Sequence, residues 1–322
     1  MSDIALGTWP FAGDAIWGRS EESACIRVVH AALDAGITLF DTAPNYGAGR
    51  CDQILGKALR GRPEALVATK TKIDRTDKHA LRESVTASLR RLGRDSIDIL
   101  QIHWPGSTPE QTQAALEVFV ALRDEGLVRF VGVCNFGRYD LDETQHTQLV
   151  SNQLPYSLLW RVIEAEIAPA SRARGLTTIA YSPLQQGLLG GAYRSTAQFP
   201  QGRKRTRHFA AQWPATQHDE AGMEAQTDHA LQQLYDLADQ TGLSLLELAL
   251  AFVRSRAFID VLLIGAKTEQ QLRQSCHAAG TRLTPHEVAA AERATEQLRQ
   301  AAGGNPDMYQ SASRVRYSVP DA

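Results

Sequence analysis

The chain has 322 residues, of which 43% are hydrophobic and 22% charged, with a formal net charge of −2. That length suits two domains or one large α/β barrel, and either buries a sizeable core. The near-neutral balance gives no long-range pull towards nucleic acid or an anionic membrane surface. No run of ~18 apolar residues could span a bilayer, and no signal peptide opens the chain. A soluble, cytoplasmic protein is therefore expected. The four cysteines, Cys25, Cys51, Cys134 and Cys276, are scattered and form no C-x-x-C pair, so neither a disulfide framework nor a metal site is expected. With no linker and no low-complexity segment, residues 1–322 read as a single domain.

In chain order, short apolar runs alternate with longer amphipathic stretches. Residues 4–9 read as a first strand leading into a Gly-rich loop, and residues 21–35 as a helix closed by Gly36. A second strand over 37–41 breaks into Pro, Asn and Gly, and a helix follows around 52–59. Residues 65–69 form a third strand ending at Lys70, followed by a helix over 79–92 closed by Gly93. Residues 97–102 form a fourth strand ending at His103. Thr108-Pro109-Glu110-Gln111 then supplies an N-cap, a Pro at N1 and a Gln at N3. Further strands are expected over 128–134, 149–153, 177–181 and 261–265. Helices are expected over 164–174, 228–240, 244–254 and 269–277, and a capping box at Thr284-Pro285-His286-Glu287 opens a last one. The segment 182–218 is too long for an ordinary connection and reads as a functional loop. Eight nearly continuous apolar strands alternating with helices predict a closed parallel (β/α)8 TIM barrel with extra C-terminal helices. A doubly wound open sheet is the alternative.

Polar residues recur at the strand ends, where barrels place their chemistry. Asp41 ends the second strand and Tyr46 lies in the loop that leaves it. Lys70 ends the third strand and His103 the fourth. Singly, each has a plain reading: a turn-capping carboxylate, a surface ring, a surface lysine next to Lys72, a structural histidine. Together they suit a tuned acid. A tyrosine at its usual pKa of ~10 is a weak donor at neutral pH, and a nearby ammonium favours its phenolate. A carboxylate keeps that ammonium charged, and a histidine can hold a carbonyl oxygen. Trp9, Trp17, Trp104 and Tyr156 suggest a partly aromatic pocket.

Phe40-Asp41-Thr42-Ala43-Pro44-Asn45-Tyr46-Gly47, Ala68-Thr69-Lys70, Asp95 to Pro105, Gly132-Val133-Cys134-Asn135-Phe136 and Ala180-Tyr181-Ser182-Pro183-Leu184 resemble the aldo-keto reductases. The resemblance runs in order from Leu6 to about Ser275. It points to the bacterial branch related to potassium-channel β-subunits and to glyceraldehyde and aldose reductases. It implies one barrel that binds NADPH, with NADH possible, and reduces a small-molecule aldehyde or ketone. Tyr46 would be the general acid, tuned by Lys70 and Asp41, with His103 orienting the carbonyl. Gly7, Thr8, Trp9 and Asp41 would border the cofactor, and Asn135 and Gln153 would hold its carboxamide. Tyr181 would stack on the nicotinamide. Ser182, Leu184 and Gly187 would follow the pyrophosphate, and Gly265, Lys267, Gln271 and Gln274 would face the adenosine end. Trp17, Tyr46, His103 and Trp104 would line the substrate pocket.

Several positions depart from the family's pattern. Cys134 replaces a usual Ser, and Ser275 a usual Asn. Gln271 stands where many members place an Arg for the 2′-phosphate, so any preference for NADPH falls to Lys267. The usual N-terminal hairpin is nearly absent, which predicts a less well plugged barrel bottom. Residues 202–208 hold the one basic cluster, read as a solvated loop or a lid near the cofactor phosphates. Two other functions fit the same residues: a nicotinamide-binding sensor or interaction subunit, and a barrel lyase using Lys70 as a Schiff-base nucleophile.

Overall fold

The structure is a computed structural model that describes all residues except 74–76, 145–146, 313 and 318–322. Eight strands close a barrel in sequence order: β1 (Ile4–Gly7), β2 (Leu39–Asp41), β3 (Leu66–Thr71), β4 (Ile97–Ile102), β5 (Val128–Cys134), β6 (Ser151–Pro155), β7 (Thr177–Tyr181) and β8 (Val261–Gly265). Every pairing is parallel, including β8 back to β1. This is the (β/α)8 barrel, so the open sheet is set aside. Burial on both faces accounts for the unbroken apolar runs.

The helices are α1 (Glu22–Asp34), α2 (Arg50–Ala58), α3 (Lys78–Leu92), α4 (Pro109–Asp124), α5 (Arg138–Asp142), α6 (Ile167–Ala173), α7 (Glu224–Thr241), α8 (Leu245–Ser255), α9 (Glu269–Gly280) and α10 (Pro285–Ala302). Local chemistry sets their ends. Thr108 caps α4 by accepting from the Gln111 amide, while the Gln111 side chain reaches Ser107 rather than closing the box on Thr108. Thr284 and Glu287 do close the box that opens α10. None of the helices among the described residues is long and apolar enough to cross a membrane.

Inside the barrel, Ala5, Leu39, Ala68, Ile99, Ile179, Val261 and Leu263 pack together. Two larger apolar layers lie between the strands and the helices. The sixth strand runs Ser151–Pro155, two residues later than expected. Its pairing with β7 continues through Pro155 and Tyr181, while Leu149 and Val150 are only half-buried below it. Gln153 therefore sits inside the strand and not at its end.

The segment after β7 holds short 3-10 turns at Gln185–Gly187, Thr196–Gln198 and Gln201–Arg203 before α7 begins. Its basic cluster is not a solvated loop: Lys204, Arg207 and His208 are buried. Arg207 grips Glu220 and the carbonyls of Ala302 and Asn305. That contact brings the stretch after α10 back across the C-terminal mouth of the barrel. There Met308 accepts from the Arg207 amide, and Arg316 donates to the Gly106 carbonyl.

Candidate active site

The site is built on the turn that leaves β2. Asp41 and Lys70 point into the barrel from neighbouring strands and are almost completely buried. Lys70 Nζ donates to Asp41 Oδ2 at 2.5 Å and to the Thr42 carbonyl at 3.0 Å. The Thr42 hydroxyl donates to Asp52, which Arg91 also holds. This buried pair ties the turn to α2 and α3. Tyr46 follows, and the backbone doubles back at Gly47 with φ +57°. A Cβ there would lie 2.6 Å from the Ala12 carbonyl oxygen, so the turn that presents Tyr46 requires glycine.

Lys70 Nζ sits 5.1 Å from the centroid of the Tyr46 ring. His103, just past β4, meets that ring edge-on at 6.1 Å, and Trp9 stacks on it at 5.9 Å. Burial pushes the Tyr46 phenol well above its ordinary range. The Lys70 charge pulls it back only in part, so in this state the phenol holds its proton tightly. Burial alone would lower the Lys70 ammonium, but the adjacent Asp41 carboxylate outweighs it and keeps the amine protonated. A protonated amine is no nucleophile, which argues against the Schiff-base reading. Burial, reinforced by Lys70, Lys72 and Arg314, pushes His103 well below its usual range, so its imidazole is neutral. Nδ1 of His103 is buried without a partner.

A chain of side-chain contacts runs from this pair across the mouth. Gln153 Nε2 donates to Asp41 Oδ1 at 2.8 Å, and the Cys134 thiol reaches Gln153 Oε1 at 3.7 Å. Asn135 Nδ2 donates to the His103 carbonyl and to Cys134 Sγ, while Tyr181 donates to Asn135 Oδ1 at 2.7 Å. Asn135 and Ser182 take left-handed backbone, φ 63° and 54°, immediately after β5 and soon after β7. Non-glycine residues hold that conformation at a cost, and it gathers at functional sites.

One cavity of about 750 Å³ opens along this chain. It extends from Tyr46, His103 and Trp104 past Asn135, Gln153 and Tyr181. It then follows Ser182, Leu184 and Gly187 to Gly265, Lys267, Gln271 and Gln274, with Gly7, Trp9, Trp17 and Asp41 on its walls. Of the candidate residues, Lys70 stands behind Tyr46 and Thr8 is fully buried, its hydroxyl donating to the Asp41 carbonyl. Tyr156 is buried as well, donates to Glu164 and stacks on Phe252, so it takes no part in the pocket. Lys267 Nζ donates to the Trp17 carbonyl at 2.5 Å, and the Gln271 side chain accepts from the Lys267 amide.

Lys72, Arg203, Arg205, Tyr309 and Arg314, outside the candidate residues, also line the cavity. Arg203 and Arg205 belong to the basic cluster, whose nearness to the site was one of its two readings. Tyr309 and Arg314 lie in the returning tail, beyond the reach of the motifs, and nothing in the sequence marked them.

The fold is a (β/α)8 barrel with its polar cavity at the C-terminal mouth, where such barrels place their chemistry. The aldo/keto reductase family matches residues 3–296, and the chain belongs to that family. It is 32% identical to the NADH-specific methylglyoxal reductase of Escherichia coli (strain K12), over 88% of this chain and 91% of that protein. The glycerol dehydrogenase AKR11B4 from Gluconobacter oxydans superposes with a TM-score of 0.77 at 30% identity, covering 92% of both chains. An aldo-keto reductase from Klebsiella pneumoniae in complex with NADPH superposes with a TM-score of 0.69 at 25% identity, over 91% of this chain and 90% of that one.

Proposed function

We propose that the protein reduces an aldehyde or ketone with a nicotinamide cofactor, NADPH or NADH, using Tyr46 as the proton donor. The observation that carries this reading is the Asp41–Lys70–Tyr46 arrangement beside neutral His103. The cavity suits such a cofactor. It offers an aromatic face at Tyr181, polar amides at Asn135 and Gln153, and a lysine beside the N-terminus of α9, where anions are favoured.

When bound, the nicotinamide supplies the hydride. The protein's own residues do the rest. The neutral His103 imidazole donates a hydrogen bond to the substrate carbonyl oxygen and fixes its direction. Tyr46 gives its phenolic proton to that oxygen as negative charge develops. Lys70 stabilises the phenolate left behind, and Asp41 holds Lys70 charged and aimed. The Trp9 ring stacks on Tyr46 and helps to fix its orientation. The left-handed turns at Asn135 and Ser182 place both residues on the cavity wall, where they would meet the cofactor.

Tyr46→Phe is the direct test, because it removes one proton and keeps the ring. Reduction should fall by ~10²–10⁴-fold, while cofactor titration by fluorescence stays close to wild type. Turnover near that of the wild type would remove Tyr46 from the mechanism.

A further inference from the structure

The substrate end of the cavity carries more positive charge than carbonyl reduction requires. Arg205 is half-buried in the wall. Its guanidinium lies 5.5 Å from the Trp9 ring and 5.9 Å from the Tyr309 ring, and no described carboxylate pairs with it. Stacking on ring faces occupies the flat sides of a guanidinium and leaves its in-plane N–H groups for another acceptor. Lys72 lies exposed at the same mouth, two residues past Lys70, also without a described ion pair. Arg314 stacks 3.4 Å over Trp104, but Asp307 neutralises it. The carboxylates on the cavity wall are already engaged, Asp41 with Lys70 and Asp14 with the amides of Ile16 and Trp17.

We propose that the substrate is a carbonyl compound bearing a carboxylate or phosphate, with Arg205 receiving the anion and Lys72 strengthening the positive field at the entrance. This rests on reading Tyr46 and His103 as the carbonyl pole. Arg205 and Tyr46 both border the Trp9 ring, at 5.5 and 5.9 Å from its centre, so a short spacer between the two functions of the substrate suffices. Arg203 is the guanidinium on the other side. It lies over Trp17, donates to the Ile16 carbonyl and approaches Gly187, well along towards the cofactor end. A half-buried cation without an anion is poorly compensated, and a carboxylate or phosphate meets a guanidinium in a bidentate fork.

The test compares 4-carboxybenzaldehyde with its neutral methyl ester, and glyceraldehyde 3-phosphate with glyceraldehyde, in wild type and in Arg205→Gln and Lys72→Gln. A charge-assisted contact predicts a preference of about tenfold or more in kcat/KM for the anionic member of each pair. That preference should be carried by KM, weaken at high salt and be largely lost in Arg205→Gln. The two pairs show whether carboxylate or phosphate fits better. Absence of preference in the wild type would overturn the proposal. So would an Arg205→Gln variant whose loss is equal for both members of a pair and is matched by weaker NADPH binding, since Arg205 would then serve the cofactor. Tryptophan-fluorescence titration with benzoate and benzamide, in the presence of NADP, reads the anion site without turnover. Tighter benzoate binding that depends on Arg205 would sustain the anion site even if none of the four carbonyls were reduced, in which case the reductase reading alone would fail. Equal binding of the two would sink the anion site.

Discussion

Lys70 and Asp41 hold opposite charges in a nearly water-free place, so each depends on the other. Lys70→Met leaves the Asp41 carboxylate buried without a counter-charge, and breaking such a pair costs ~3–5 kcal/mol. It also removes the one cation that draws the Tyr46 phenol towards ionisation. The single variant should therefore lose both stability and reduction. The double variant Asp41→Asn with Lys70→Met removes both charges and should recover most of the thermal stability while staying inactive. Parallel thermal melts and turnover assays separate the two roles. A double variant as unstable as the single would mean that the pair's charges are not what stabilises the turn. These residues were legible in the sequence because Asp41 ends β2 and Lys70 stands one residue before the end of β3, positions that the apolar runs locate to within a residue. What the sequence did not reveal was the balance of forces. The expectation was that Lys70 would lower the Tyr46 pKa outright, whereas in this state burial dominates. Burial depends on Trp9 and the neighbouring loops, which no spacing encodes.

At the level of elements, the segment between β7 and α7 combines two tasks. Its turn at Gln201–Arg203 faces the cavity, while His208 is locked into the core. The His208 Nε2–H donates to the Leu159 carbonyl at 2.9 Å, and Nδ1 accepts from Thr206 and Gln185. Burial, with Arg207 nearby, pushes this imidazole down to about 4, against ~6.5 when unfolded. The unfolded chain therefore binds the extra proton first. Stability is whole above about pH 6.5 and falls as the pH drops towards 4, by up to roughly 3 kcal/mol from this group. Denaturant midpoints should fall over that window in the wild type and fall less in His208→Gln. Parallel declines would assign the acid sensitivity elsewhere. The loop between β8 and α9 makes a second case. Lys267 already holds the Trp17 carbonyl, and Gln271 holds the loop backbone. On the proposed reading, Lys267→Ala should weaken NADPH more than NADH, by about tenfold, and loosen both slightly by freeing Trp17. Equal losses in fluorescence titrations would remove Lys267 from the 2′-phosphate. Helix ends were legible where Ser or Thr caps and terminal glycines mark them. The path of the 182–218 segment was not, since its contacts are made with the distant tail.

For the molecule as a whole, the β-α alternation and the apolar runs were enough to predict the barrel, because each strand is buried on both faces. The returning tail, with Tyr309 and Arg314, was not legible, since it follows the last periodic helix and carries no pattern of its own. The barrel is also joined unevenly. β5 and β6 share a register of two residue pairs, as do β7 and β8, while β4–β5 and β6–β7 share five each. The β6–β7 ribbon is thus flanked by the two shortest paired registers in the wall. Across one of them, Cys134 and Gln153 are a directly paired couple, and Gln153 reaches on to Asp41 on the far side of the mouth. A side chain proposed for the cofactor thus doubles as the rivet of a seam. Amide hydrogen exchange should find the ribbon opening as one cooperative unit, below the energy of global unfolding. Gln153→Ala should speed exchange throughout β6 and β7 while leaving β3 and β4 slow, whereas uniform acceleration around the ring would show the wall to be one piece. On the proposed reading, selection on cofactor binding and selection on the wall's closure would then fall on the same side chain, so that losing the amide at Gln153 would also loosen the barrel's own circumference.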